Sequence, residues 1–335
     1  MKRRTKTWIV AITLILAIIV TLLISLNMGV IRITPSQVFQ TLLGNGSEQN
    51  ALVLFQFRLP RMVIALLIGA GMAVSGAILQ SVTHNELADP GIIGINAGAG
   101  FFVVLYIYYF QDSIVQLGGT LSVYILPLFA LGGSLVAAIL IYVISWKNGV
   151  NPIRLILVGI GINSMFAALI IIFQLKMDPD DFTRATVWLT GDISGTDWSY
   201  VLALLPWILL FVPFAFYKAK SLDTLHLGDD VAKGLGTRVE GERSLLLFIA
   251  VALAGACVAV GGGIAFIGLV IPHLARKLVG ATHQTILPIS ALMGALLLVL
   301  ADTIGRNLLA PSEIPVGIVV SVIGGGYFIY LLMKS

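Results

Sequence analysis

Residues 8–26 read WIVAITLILAIIVTLLISL, a run without a single charge that follows the basic hexapeptide MKRRTK. About 20 consecutive apolar residues suffice for a helix to cross a bilayer. Such a run near an N-terminus is either a cleaved secretory signal or the first helix of a membrane protein. This one is long for the apolar region of a signal peptide, has no small-x-small site at its end, and precedes further runs like itself. It is read as a first membrane helix, and the chain as one that crosses the membrane many times.

The rest of the chain agrees. Hydrophobic residues make up 58% and charged residues 11% of the 335 positions, with a mean hydropathy of +1.01, whereas a soluble domain carries about 25% charged residues. Hydropathy divides the chain into ten segments at 8–27, 61–80, 93–110, 121–144, 153–174, 198–217, 244–260, 264–280, 285–304 and 314–333. The fold predicted is all-α: a single polytopic domain over 1–335, about ten transmembrane helices in a compact bundle. Pro127, Pro206, Pro213 and Pro272 fall inside predicted spans, where neighbouring helices must re-satisfy the backbone. Small residues recur at close spacing, as in Gly69, Gly71, Ser75 and Gly76, and predict tightly approached helices.

Charge sets an expected orientation. With ten spans, fourteen of the 20 Lys/Arg fall on the side of the N-terminus and six on the other: Arg32, Arg58, Arg61, Lys176, Arg184 and Arg306. The excess marks the cytoplasmic side, so both termini are expected in the cytoplasm of a multi-pass cell-membrane protein. A pI near 9.2 reflects these dispersed loop cations and not a nucleic-acid groove.

Chemistry is thin. There is no G-x-x-x-x-G-K-[ST] run to cradle nucleotide phosphates, no H-E-x-x-H and no Cys/His cluster. The lone Cys257 allows no intrachain disulfide, and His84, His226, His273 and His283 are scattered. No catalytic residue, metal site or bound cofactor is expected, and the chain is not read as an enzyme. Asp302 lies four residues before Arg306, hence on the same helix face, either as a local ion pair or as a functional one. An ion-coupled carrier would bury more ionisable groups than this. Neutral polar residues Gln80, Asn163, Ser164 and Gln174 are the expected pathway lining.

One polar island stands out: KAKSLDTLHLGDDVAKGLGTRVEGER, Lys218 to Arg243, with five basic and five acidic residues. Charge counting assigns it to the cytoplasmic side. A second polar stretch, 176–198, carries Asp178, Asp180, Asp181, Asp192 and Asp197 on the opposite side. There a short surface helix is expected, its acidity serving solvation and not metal capture.

Three stretches carry a family likeness: RLPRMVIALLIGAGMAVSGAILQSVTHNELADPGIIGINAGAGF (58–101), GGGIAFIGLVIPHLAR (261–276), and ADTIGRNLL with EIPVGIVVSVIGGGYFIYLL (301–332). In order and over nearly the whole chain, they resemble the FecCD/BtuC-type permeases, membrane subunits of type II ABC importers for iron-siderophore complexes, haem and vitamin B12. The resemblance implies translocation of a bulky iron chelate by alternating access, with haem or vitamin B12 as alternative cargo. It implies a second permease subunit, identical or paralogous, and an extracytoplasmic substrate-binding protein. It also implies two cytoplasmic ATP-binding subunits, which would use the ATP-Mg. By the same resemblance, Arg58, Arg61 and Arg306 receive carboxylates of the binding protein, a task suited to the planar guanidinium fork. In that pattern Pro60 ends a loop and Arg61 starts the helix. Leu227, Gly228, Asp229, Asp230, Ala232, Leu235 and Gly236 match the segment that contacts the ATPase, a short helix capped by Asp229 or Asp230 and stopped by left-handed Gly236. Gly234 weakens the last turn of that helix. Asn85 and Leu87, with Asn151 and Pro152 in a second short turn, are the expected cytoplasmic gate.

Overall fold

The computed structural model describes residues 3–334 apart from 30, 32, 92, 118–120, 148, 150 and 151. Their regular elements are helices: α1 (Arg3–Asn27), α2 (Pro35–Leu42), α3 (Glu48–Leu52), a π-helical stretch Val53–Arg58, α4 (Leu59–Thr83), α5 (Ile95–Leu117), α6 (Leu121–Ser145) and α7 (Pro152–Gln174). There follow α8 (Pro179–Leu189), α9 (Trp198–Tyr217), α10 (Ala219–His226), α11 (Asp229–Gly234), α12 (Val239–Gly261), α13 (Ile267–Val279), α14 (His283–Leu308) and α15 (Val316–Lys334).

Each of the ten apolar segments is a helix. Seven helices among the described residues are long and apolar enough to cross a membrane, and Ile95–Gln111 and Val316–Leu331 are shorter apolar helices. The eighth segment is a correction. α13 has 13 residues, about 20 Å at 1.5 Å per residue, which is less than a bilayer core. The chain turns back at Gly262 (φ +70°) and continues without helix to Phe266 before α13 begins.

α4 is the axis of the bundle. A helix apolar on all sides is a buried helix, and α4 packs against α14, α12, α13, α9 and α7. Glycine lets these backbones meet. A Cβ at Gly69 would overlap the carbonyl of Gly294 on α14, and one at Gly76 would overlap Gly268 on α13. Ser75 Oγ donates to the Ala250 carbonyl of α12 at 2.7 Å. α1 stands at the periphery with most of its surface open.

The run from Glu48 through α4 is continuous helix, so Arg58 and Pro60 do not end a loop as the sequence pattern suggests. Pro60 has no N–H for the carbonyl one turn back, and at this point the backbone passes from π to α geometry.

Candidate functional site

α4 and α14 run side by side in opposite directions, so the candidate site residues gather at the two ends of this pair. The start of α4 and the end of α14 carry Arg58, Arg61, Asp302 and Arg306; the end of α4 and the start of α14 lie beside α10. Trp198 Nε1 donates to the Phe55 carbonyl at 2.7 Å, which brings the start of α9 to the arginine end.

At that end the three expected arginines come together, each under 9% exposed. Arg61 Nε lies 2.7 Å from Asp302 Oδ1 and its Nη1 lies 2.7 Å from Glu313 Oε2. Arg306 Nε is 3.1 Å from Asp302 Oδ2, and its second limb donates to Ser25 Oγ of α1. Arg58 donates to the carbonyls of Leu26 and Ile31, tying α1 to the head of α4. Three guanidinium groups face two carboxylates, leaving one formal positive charge. A cleft of about 390 Å³ opens on this cluster, with Phe57, Arg58, Arg61, Arg306 and Glu313 in its wall. Asp302 thus does more than pair within its own helix, because it bridges two arginines. Glu313 is the group that sequence reasoning missed: it is 252 positions from Arg61, and no local pattern joins them.

The acidic stretch 176–198 holds α8, the expected surface helix. Its acids have local work: Asp178 Oδ1 caps α8 by accepting from the N–H groups of Asp180 (3.1 Å) and Asp181 (3.0 Å), and Asp197 caps α9 through Ser199 N–H at 2.8 Å.

At the opposite end the polar island folds as α10 and α11, closing onto α12. The N-cap of α11 is Gly228 (φ +100°), without a side-chain cap, so neither Asp229 nor Asp230 plays the expected capping role. Asp229 instead bonds Arg243, a side chain 2% exposed at the base of α12. The stop is as expected. Gly236 has φ +82°, its N–H donates to Lys233 O (2.9 Å), and Thr237 N–H donates to Ala232 O (3.0 Å), the paired closure of a left-handed C-cap. The helix includes Gly234. Ala232 is fully buried against the body, whereas Leu227, Val231 and Leu235 are 61%, 51% and 66% exposed. Val231 lies on α11, Leu235 caps its end and Leu227 caps α10 just before it, so three exposed apolar side chains gather on and around this short helix.

The turn after α4 touches this segment. His84 closes α4 in the left-handed region (φ +51°), its ring nitrogen meets the Leu225 carbonyl at 2.8 Å, and its ring stacks on His226 with centroids 6.1 Å apart. Asn85 Oδ1 accepts from Leu87 N–H at 2.9 Å, which holds Leu87 outward and exposed. Glu86 reaches His273 Nδ1 at 3.2 Å. Burial, with like charge from His84 and Arg276, pushes the His226 imidazole below its ordinary range, against the pull of Glu86 and Asp223. Of the second expected gate turn, Pro152 begins α7 and Asn151 lies outside the described residues.

The expected pathway residues separate. Asn163 lines a cavity of about 350 Å³ together with Asp89, Asn96, Leu189, Phe266 and Leu269. Gln80 is buried and acts as a strut, donating to Gly268 O (3.0 Å) and Leu269 O (3.1 Å) while accepting from Arg276. Ser164 bonds its own helix at Ile160 O (3.0 Å), and Gln174 joins α7 to α8 through Thr186 Oγ1 (3.3 Å). Phe266 holds φ +68°, rare for an aromatic residue, beside this cavity. Asn96 Oδ1 is buried there without a hydrogen-bond partner among the described residues.

Comparison with known proteins places this geometry. The family model described as the FecCD transport family matches residues 16–334. The iron(3+)-hydroxamate import system permease protein FhuG of Bacillus subtilis is 56% identical over 100% of both chains. The Fe(3+) dicitrate transport system permease protein FecD of Escherichia coli is 38% identical over 93% of this chain and 94% of its own. Among solved structures, an inward-facing ABC transporter described as metal-chelate type superposes with a TM-score of 0.82 at 31% identity, covering 97% of this chain and 99% of the other. PsaBC from Streptococcus pneumoniae shares the fold, with a TM-score of 0.58 at 20% identity over 84% of this chain and 93% of that one. The chain belongs to the FecCD transport family.

Proposed function

We propose that this chain is the membrane-spanning permease subunit of an ABC importer that moves a ferric chelate of the hydroxamate-siderophore class across the cell membrane. The observation that carries the reading is the group of exposed apolar side chains Leu227, Val231 and Leu235, on and flanking a short helix that is seated by buried Ala232 and by the Asp229–Arg243 pair. The chain has no phosphate-cradling loop of its own, so the energy comes from a partner. Exposed apolar side chains around a short helix whose other face is seated on the body are a surface for a groove on another protein.

In this reading α11 seats in a cytoplasmic ATPase subunit, which hydrolyses ATP-Mg, while the permease itself catalyses no bond chemistry. Both termini and the α11 end face the cytoplasm. The contact between His84 and Leu225 passes motion of the coupling segment to the turn at Asn85 and Leu87, which gates the cytoplasmic exit. The faces that α7 and α15 leave open, including Leu157, Ile160 and Val322, fit a second permease subunit, the chelate passing between the two by alternating access. The arginine end receives the extracytoplasmic binding protein, its net positive charge suited to carboxylates.

The test is ATP-driven uptake of a ferric hydroxamate by proteoliposomes that hold the permease, ATPase and binding protein. Leu235→Asp, with Gly236→Arg as a second variant that distorts the left-handed stop, is expected to lower uptake at least tenfold while leaving the bundle folded. Full coupled uptake by both variants would sink the assignment of 227–236.

A further inference from the structure

We infer that Glu313 is an internal stand-in for a carboxylate of the binding protein, displaced from Arg61 when that protein docks, and that its departure releases the start of α15. The inference rests on the reading that the arginine end is the docking face.

Three observations converge. Arg61 is almost wholly buried and already holds two carboxylates, yet they differ: the Asp302 side chain is 1% exposed and that of Glu313 is 37% exposed. Asp302 is fixed by Arg61 and Arg306 together, whereas no second ion pair to Glu313 is found among the described residues. Glu313 also stands in the wall of the cleft through which an outside side chain reaches Arg61. An incoming carboxylate therefore meets a guanidinium already desolvated and aimed. Exchange makes one charge-assisted bond for the one it breaks, and the freed Glu313 regains water.

The exchange has a mechanical outlet. Ile314 N–H donates to Gly305 O at 3.0 Å, so the residue after Glu313 is tied against α14, and Gly317 N–H donates to Gly191 O at 2.9 Å at the start of α15. Farther along, Gly324 of α15 lies directly against Phe266, where a Cβ would crowd the ring. Phe266 lines the 350 Å³ cavity and holds its left-handed backbone at the head of α13. A carboxylate arriving at Arg61 thus acts on the helix that backs the cavity wall.

The test uses the assembled importer in lipid nanodiscs and the purified binding protein. Glu313→Gln removes the internal competitor and is expected to tighten binding by about threefold to tenfold, the scale of one part-exposed ion pair at a preformed site. Arg61→Gln, with Arg61→Lys as a variant that keeps the charge and loses the fork, is expected to weaken binding; Glu313→Gln added to either brings no further gain. Hydrogen exchange over 310–320 should rise when the binding protein is added to the wild type, and be raised beforehand in Glu313→Gln. If the Arg61 variants weaken binding while Glu313→Gln leaves it unchanged or weaker, the exchange is overturned and docking stands. If the Arg61 variants bind normally, docking at this end fails and the exchange with it.

Discussion

The two ends of α4 handle charge in opposite ways. At its head, Arg61 of α4 and Arg306 of α14 are withdrawn from solvent and share Asp302 of α14, while Ser25 of α1 holds Arg306. Beyond its tail, most charges of the polar island stay wet, Asp230 and Lys233 of α11 among them, and Leu227, Val231 and Leu235 stand exposed beside them. A buried ionic lattice is rigid, and in the proposed exchange a partner enters it by replacing one of its members. Exposed apolar side chains on and around a short helix suit instead the proposed coupling contact, one engaged by burial. The difference suits one end to recognition and the other to transmission.

The sharpest way to break this contrast is to remove the shared carboxylate. Asp302→Ala leaves two buried guanidinium groups facing each other and is expected to cost about 3–5 kcal/mol, read as a large fall in thermal stability in detergent. Lys233→Ala at the other end breaks an exposed 4.0 Å pair with Asp230 and should cost at most about 1 kcal/mol. Equal losses would mean that the ends do not differ in kind.

A smaller effect of opposite sign is expected at α11. Gly234 is helical, and a Cβ there meets nothing within 4 Å, so Gly234→Ala should stabilise this segment by about 0.5–1 kcal/mol. Slower amide exchange over 229–236 would show it.

The smallest effect concerns pH. His226 has its pKa lowered by burial first and by His84 and Arg276 next, with Glu86 and Asp223 opposing. A histidine whose folded pKa lies below its unfolded value binds protons better unfolded, so its contribution is full above about pH 6.5 and is lost as pH falls below that. Protection of the amides over 219–236, measured against the intrinsic exchange rate at each pH, is expected to fall modestly between pH 7.5 and 5.5, and His226→Gln should flatten the change.

How much of this was legible in the sequence follows from the range of each interaction. The helices arise from hydropathy along the chain, so their positions could be read directly. α13 could not be measured that way, because Ile264, Ala265 and Phe266 are as apolar as the helix that follows and the left-handed turn at Phe266 leaves no mark on hydropathy. Asp302 and Arg306 were visible as a pair at i,i+4; Arg61 and Glu313 depend on helix packing across 252 positions. Gly236 declared its own turn, while Asp229 was drawn from its capping role by Arg243, fourteen residues on.

The division of labour between the ends is tested most directly by crosslinking from single introduced thiols. Cys257, the one native cysteine, is 1% exposed and so is inert to reagents in solution. Leu235→Cys on α11 and Phe57→Cys at the arginine cleft are each charged with a short thiol-reactive photocrosslinker in the assembled importer. The account predicts that Leu235→Cys captures the ATPase subunit and Phe57→Cys the binding protein. The reverse pattern, or capture of the ATPase subunit from both positions, would contradict it.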